Sequence, residues 1–132
     1  MTAVCIETPT RFARYTCASN TTIPKGTLLA LTSPNTASAC AAVDAVAGGI
    51  AWMEKDAADP STEITAALDG VWGITASTEG NITIGMDVVS SDVANMIAPY
   101  DTLDDEDGLV FGKALETFAS VTSAVIKVRL NI

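Results

Sequence analysis

The sequence predicts an all-β fold, because β-branched residues dominate it: 38 of the 132 residues are Val, Ile or Thr, against 8 Leu. Two heavy atoms on Cβ favour extended backbone over helix. Turn signals such as Pro24-Lys25-Gly26, Asp69-Gly70 and Asp107-Gly108 separate short apolar runs. Strands and turns that alternate about every ten residues are typical of a sandwich or barrel. We therefore expect a single compact domain that resembles a β-barrel or β-sandwich.

Composition excludes several other classes of protein. A chain of 132 residues has the length of one domain, and its 48% hydrophobic content is too high for a disordered segment. No apolar run approaches the ~18 residues of a membrane span, so we expect no membrane partner. A net charge of −9 repels phosphate backbones, so we expect no nucleic-acid partner.

Charge is segregated along the chain. Residues 1–40 and 113–132 each carry a net charge of +2, whereas residues 41–112 carry −13. The two ends are therefore predicted to form a weakly basic region and the middle an acidic one. Acidic surface usually serves solubility, and a basic end that faces an acidic partner is the alternative.

The first 22 residues differ from the rest. Thr8-Pro9-Thr10 interrupts them, and a polar stretch, Ser19-Asn20-Thr21-Thr22, separates them from residues 23–132, the predicted barrel-like domain. Two interpretations stay open for residues 1–22: an edge strand of the domain, or an extended N-terminal arm that orders on another chain. The N-terminus lacks the charged start and apolar stretch of a signal peptide, so synthesis in the cytoplasm is expected.

The clearest strand is the last one, Ala124–Leu130. Its apolar residues alternate with Val125, Lys127 and Arg129, so one face is predicted to lie on a core and the other in solvent or against a partner. The alanine-rich residues 37–47 are the place for at most one short helix. The other predicted strands are residues 27–31, 49–52, 63–67, 71–75, 86–89, 95–98 and 110–115.

The sequence offers little for catalysis. It contains no histidine, which excludes triads and metal sites built on imidazole. No phosphate-binding or serine-nucleophile motif is present. The acidic run from Asp101 to Asp107 fails the EF-hand register and is expected to be a solvated loop, with a cation site as the alternative. No catalytic residue, cofactor or metal ligand is therefore predicted.

Two further residue types have open interpretations. Cys5, Cys17 and Cys40 are expected to be free thiols in a reducing compartment, although a bridge between Cys5 and Cys17 is the alternative. Trp52 and Trp72 lie in apolar runs and are predicted to be core or interface anchors, with a platform for sugar stacking as the alternative.

The order of motifs along residues 22–132 resembles that of the small capsid decoration, or cement, proteins of tailed bacterial and archaeal viruses. The terminal strand follows a G-x-A-L-E step, as in that family. The motifs that carry the resemblance are Pro24-Lys25-Gly26-Thr27-Leu28-Leu29, Gly49-Ile50-Ala51-Trp52, Asp69-Gly70-Val71-Trp72-Gly73-Ile74, Gly80-Asn81-Ile82-Thr83-Ile84-Gly85-Met86-Asp87-Val88-Val89 and Phe111-Gly112-Lys113-Ala114-Leu115-Glu116-Thr117.

The resemblance implies a non-enzymatic virion protein on the capsid exterior. Such a protein binds the major capsid protein and stabilises contacts between its subunits, and a homotrimer at local three-fold positions is expected. As a hypothesis, the capsid-contacting residues are those of the N-terminal segment: Val4, Ile6, Arg11, Phe12, Arg14 and Tyr15. Two alternatives remain, a β-module that binds host-surface glycans and a small hydrolase that uses carboxylates and a cation.

Overall fold

The computed structural model describes residues 2–40, 45–101 and 107–132, and nearly all of their regular structure is β. One 3₁₀ turn, Asp107–Leu109, precedes the tenth strand. The strands are β1 (Val4–Glu7), β2 (Phe12–Thr16), β3 (Leu28–Ser33), β4 (Thr36–Ala39), β5 (Ala47–Ala51), β6 (Glu63–Ala67), β7 (Val71–Ala76), β8 (Asp87–Ser90), β9 (Met96–Pro99), β10 (Val110–Ala114) and β11 (Ala124–Leu130).

The strands form two closed rings. Strands β2, β4, β3, β5 and β6 make the first, which we call barrel 1. In the second sheet the order is β1-β7-β11-β10-β8-β9, and an additional parallel pairing joins β9 to β7. That pairing closes β7, β11, β10, β8 and β9 into barrel 2 and leaves β1 beside β7. The predicted β-barrel fold is therefore confirmed, with two five-stranded barrels in place of one.

The two barrels repeat one topology. We number the strands of each barrel from first to fifth in chain order. In both barrels the first strand pairs in parallel with the third. The other pairings are antiparallel and join the third strand to the second, the second to the fourth, the fourth to the fifth and the fifth to the first. Hence β2 to β6 correspond to β7 to β11 in order. This repeat is not apparent in the sequence, because few side chains are shared between the halves.

The repeat extends to the backbone of the turns. Gly26 and Gly85 precede the second strand of their barrels with φ of 89° and 87°. Each donates its N–H to the last residue of the fourth strand, Ala51 or Ala114, at 2.8 Å. Positive φ carries little steric penalty for glycine, which explains why this residue type is kept at both places.

A second glycine pair marks a close approach between neighbouring strands. A Cβ at Gly49 of β5 would come within 2.5 Å of the Ala67 carbonyl oxygen on β6, and a Cβ at Gly112 of β10 would collide with the Arg129 carbonyl oxygen on β11. The fourth and fifth strands of each barrel therefore approach one another at the same point. Only glycine fits such a contact without a backbone shift.

The barrels share a wall. Leu28, Ile50 and Ala67 lie opposite one another across β3, β5 and β6 and pack into the same cluster as Trp72, which faces the interior of barrel 2. Their neighbours Leu29, Ala51 and Ala66 point into barrel 1 instead. In addition, the Leu28 N–H donates to Asn95 Oδ1 of the β8–β9 turn at 3.0 Å. Both faces of these strands are thus buried, and the two barrels form one body.

The predicted strands agree closely with those of the structure. Strands β6 and β11 have the predicted bounds, and the other six predicted segments match β3, β5, β7, β8, β9 and β10 to within two residues at either end. The described part of residues 37–47 contains no helix, since β4 covers its start and β5 begins at its end; residues 41–44 lie outside the described residues.

The N-terminal segment is folded onto the body. Strand β1 is an edge strand that pairs antiparallel with β7, and β2 closes barrel 1 through β4 and β6. Within residues 1–22, β1 thus has the place of an edge strand, whereas β2 is an integral strand of barrel 1.

One difference between the repeats is a buried charge. Lys55 of barrel 1 and Phe118 of barrel 2 form equivalent isolated bridges, with Ile23 and Ile82 respectively. Phe118 packs into the apolar core, whereas the buried Lys55 ammonium donates to the carbonyl oxygens of Ser19 at 2.8 Å, Asp59 at 3.1 Å and Thr21 at 3.3 Å. Because buried polar groups need partners, Lys55 holds the two adjoining loops together.

Replacement of Gly112 by Ala tests the close approach of β10 to β11. We expect Gly112→Ala to lower the free energy of unfolding by more than about 2 kcal/mol, because the backbone must shift to accommodate the new Cβ. The control is Gly108→Ala, where an added Cβ meets nothing within 4 Å; there we expect a change of about 0.5 kcal/mol or less. Chemical denaturation of both variants measures the difference, and equal stabilities would refute the contact.

Replacement of Lys55 by Met tests the role of the buried ammonium. We expect Lys55→Met to lower the free energy of unfolding by about 2–4 kcal/mol, because carbonyl oxygens that accepted hydrogen bonds lose their donor. Lys127→Met, at an exposed lysine on β11, serves as the control and should change stability little. Urea denaturation compares the two, and an unaffected Lys55→Met protein would show that the carbonyl contacts contribute nothing.

Candidate interaction surface

The outer face of β1, β7 and β11 exposes three large apolar side chains. Val4 and Ile6 of β1 are 62% and 49% exposed, and Val125 of β11 is 49% exposed. Between them lies Gly73 of β7, where an added Cβ would stand 3.1 Å from Val125 Cγ1 and 3.6 Å from Ile6 Cδ1. The absence of a side chain at Gly73 lets the flanking residues form one surface, which we call the apolar face. Clustered apolar exposure of this kind marks interaction sites more often than scattered residues do.

Basic residues border the apolar face. Lys127 and Arg129 alternate with Val125 on the exposed side of β11. Arg129 also lines a cavity of about 740 Å³, together with Arg11 from the β1–β2 link and Lys113 from β10. The cavity thus gathers basic residues from both ends of the chain, the grouping that the charge segregation predicted. Two acidic residues, Glu7 and Asp69, line it as well.

Asp69 fixes the β1–β2 link to the turn between the barrels. Its carboxylate accepts the Thr10 hydroxyl at 2.6 Å and the N–H groups of Thr10 and Arg11 at 2.7 and 3.0 Å. The Arg11 guanidinium adds an ion pair at 3.7 Å. These contacts, led by the hydrogen bond from the Thr10 hydroxyl, lower the pKa of Asp69 to about 2. A carboxylate with so many donors is held charged and in one place.

An aromatic cluster lies where β2 begins. The rings of Phe12 and Trp52 are 5.6 Å apart, and Trp52 meets Trp72 edge-to-face at 6.1 Å. The Lys25 ammonium stands 4.5 Å from the centre of the Trp52 ring, a cation–π distance. Trp72 is 1% exposed and donates its indole N–H to the Asp69 carbonyl, so its predicted place in the core is confirmed. Trp52 is half-buried.

The six residues predicted to contact a partner lie in different parts of the structure. Val4 and Ile6 belong to the apolar face, and Arg11 is engaged with Asp69. Phe12 and Arg14 are exposed on the outer side of β2. The sixth, Tyr15, is half-buried against the interior cluster of barrel 1, and burial raises the pKa of its hydroxyl.

Not every residue of these surfaces is predictable from the sequence. Alternation along β11 predicts Val125, Lys127 and Arg129 as a face toward solvent or a partner, but no local pattern connects them to Val4 and Ile6. Pairing of both β1 and β11 with β7 creates that connection. Lys25 gave no signal of its own, because its place over Trp52 depends on the fold of barrel 1.

The remaining predictions concern the cysteines, the acidic run, metal sites and membrane spans. The three cysteines are thiols and not members of a disulfide: Cys17 and Cys40 are buried, Cys5 is half-buried, and burial raises the pKa of the Cys17 thiol. Residues 102–106 of the acidic run lie outside the described residues. Within the described ranges, no group of three or more Cys, Asp or Glu side chains is placed to hold a metal ion. Those ranges also hold no helix of the length and apolarity that a membrane crossing requires.

Comparison with known proteins yields no relative: no protein-family model matches the chain, and no curated protein matches its sequence.

The pKa of Asp69 leads to a pH prediction. A folded-state pKa of about 2, below the ordinary value of about 3.9, means that the charged carboxylate stabilises the fold above pH ~4 and that this stabilisation is lost as pH falls toward 2. In Asp69→Asn we expect a lower melting temperature than in the unmodified protein at pH 7, and a difference that shrinks steadily below pH 4.

Thr10→Val provides the matched variant, because it removes the hydroxyl that contributes most to the lowered pKa while Asp69 stays. Its melting temperature should fall by less than that of Asp69→Asn and should show the same trend with pH. Thermal unfolding followed by circular dichroism between pH 2.5 and 7 measures all three proteins. A difference that does not change with pH would contradict the role given to the charged carboxylate.

Proposed function

We propose that this chain is a structural protein of a virion, which binds the outer surface of the assembled capsid and stabilises contacts between major capsid protein subunits. The proposal assigns it no catalysis and no cofactor. Its support is the resemblance of residues 22–132 to capsid decoration proteins, together with the surfaces described above. The observation that carries it is the apolar face formed by Val4, Ile6 and Val125 around Gly73.

The apolar face suits attachment to a large, flat partner. Its members come from two strands, β1 and β11, held in register by β7 between them. Side chains fixed on strands lose little conformational freedom on binding, so more of the buried apolar area contributes to affinity. Lys127 and Arg129 at its border favour an acidic partner and orient the contact.

Repetition makes such a contact effective without chemistry. A ligand that binds only the assembled state stabilises it at every site that it occupies. A homotrimer at local three-fold positions, which we include in the proposal, attaches through three faces at once and gains from avidity. The capsid exterior is accordingly the proposed location.

The glycan-binding alternative has weaker support from the aromatic residues. A sugar-stacking site needs an open aromatic face in a concave place. Trp72 is buried, and Trp52 carries the Lys25 ammonium against its ring. A glycan array probed with the purified protein examines this alternative directly.

Sedimentation with assembled capsids tests the proposed function. We expect the protein to pellet with capsids and Val125→Asp to bind at least tenfold more weakly, because binding would bury the new carboxylate in an apolar contact. Val46→Asp is the matched control: Val46 is 44% exposed and directly precedes β5 of barrel 1, a strand that contributes nothing to the apolar face. It should bind like the unmodified protein. Failure of the unmodified protein to pellet, or equal weakening by both substitutions, would overturn the proposal.

A further inference from the structure

The repeat reveals an unfilled strand position on barrel 1. Each barrel closes at a seam where its first and third strands pair in parallel over a short distance. In barrel 2, β9 covers Thr75 and Ala76 of β7, and β1 covers Val71–Gly73. In barrel 1, β4 covers only Thr16 of β2. The residues that correspond to Val71–Gly73 are 12–14, and no described strand lies beside them at the seam.

The backbone groups of this open edge can be assigned from their neighbours. Successive residues of a strand direct their N–H and C=O groups to opposite sides. The Thr16 N–H donates to Asn35 on the seam side, whereas the Cys17 N–H donates to Thr62 beside β6. Two and four residues before Thr16, Arg14 and Phe12 therefore direct their N–H and C=O groups toward the seam. We call Phe12 and Arg14 the open edge of β2.

We propose that the open edge of β2 receives an extended segment of the capsid subunit, which adds a strand to barrel 1 as β1 does to barrel 2. This inference rests on the proposed function and specifies where the partner's backbone binds. Main-chain hydrogen bonds to an unpaired edge are a common mode of peptide recognition, with specificity supplied by the alternate side chains.

The repeat indicates which side chains the incoming strand presents to the barrel. Beside β7, the inner side of the N-terminal segment carries the small residues Ala3, which is buried, and Cys5, which packs against the core cluster of Trp72. The residue of β2 that corresponds to Trp72 is Ala13, which is only half-buried. A small apolar residue on the incoming strand would complete its burial.

The exposed side chains of the open edge indicate which residues the incoming strand carries on its outer side. Arg14 occupies the place that Gly73 has in barrel 2, and it is exposed. Phe12 is 45% exposed beside Trp52, with Lys25 over the latter ring. Glu54, Asp59 and Glu63 line a cavity with Arg14, but none of the described residues forms an ion pair with its guanidinium, which therefore favours a carboxylate on the partner segment. Phe12 favours an aliphatic residue opposite it.

The chain's own β1 is already placed elsewhere. Its pairing with β7 and the hydrogen bond from the Ala3 N–H to the Gly26 carbonyl, at 2.8 Å, hold it between the barrels. β1 is therefore not available to fill the open edge of β2, and we assign that position to a strand of another molecule. The capsid subunit is the proposed source because it is the partner that the proposed function assigns to this chain.

Amide hydrogen exchange, read residue by residue, tests the inference. In the free protein we expect the Phe12 and Arg14 amides to exchange rapidly, while those of Ala13 and Tyr15, which face β6, are protected. On capsids, the Phe12 and Arg14 amides should become at least tenfold slower. Capsid-bound protein is exchanged in D₂O, quenched, released and analysed by NMR, with free protein treated identically.

Two substitutions of Arg14 test whether its positive charge contributes to binding of the incoming strand. Arg14→Glu should weaken binding to capsids at least tenfold by repelling the carboxylate of the incoming strand, whereas Arg14→Lys keeps the charge and should bind within about threefold of the unmodified protein. Exchange of the Ala13 and Tyr15 amides, unchanged in both variants, verifies that barrel 1 remains folded.

The outcomes separate this inference from the proposed function. If the unmodified protein does not bind capsids, the proposed function fails. If it binds, but the Phe12 and Arg14 amides exchange as fast on capsids as in solution, attachment uses the apolar face alone and the strand position is refuted. Capsid binding by Arg14→Glu equal to that of Arg14→Lys would refute the predicted carboxylate.

Discussion

Burial of both faces of the wall between the barrels is the constraint on which the rest of the structure depends. Leu28, Ile50 and Ala67 face barrel 2 while their sequence neighbours face the interior of barrel 1. A five-stranded barrel of this size encloses few side chains, and an isolated copy would have a small core. The wall joins the two small interiors into one apolar body. It also sets the position of β1, which spans the junction from Gly26 to β7.

The two halves preserve backbone constraints and differ in side chains. Positive-φ glycines precede both second strands, and positive-φ asparagines, Asn35 and Asn95, precede both third strands. Side chains at corresponding places, by contrast, include lysine for phenylalanine and alanine for tryptophan. The two halves thus share residues at positions whose backbone conformation or close strand contact few residue types tolerate. At positions where a side chain only fills space or faces solvent, the two halves have different residues. The seams differ as well, since β1 pairs with β7 and no described strand has the equivalent place beside β2.

The charged residues are distributed unevenly over the structure. The chain is strongly acidic, yet Arg11, Lys113 and Arg129 meet at one cavity beside the apolar face. Two of them are paired, Arg11 with Asp69 and Lys113 with Asp87 at 2.9 Å. The Asp69 contacts hold the β1–β2 link, so they position the apolar face on one side of the link and the open edge of β2 on the other. A single charged group thereby organises both proposed contact surfaces.

The sequence by itself determined the all-β class and eight of the eleven strands, because β-branched composition and turn residues act locally. It also identified the exposed face of β11, where one side is solvated and period-2 alternation survives. Strand β4 was misread, since its alanine-rich run is compatible with helix and only pairing with β3 makes it a strand. Strand β5, which is buried on both faces, shows a continuous apolar run that does not reveal which side faces which barrel. The repeat, the apolar face and the open edge of β2 were decided by the tertiary structure alone, because each depends on which strands become neighbours, and pairing between distant segments leaves no local pattern in the chain.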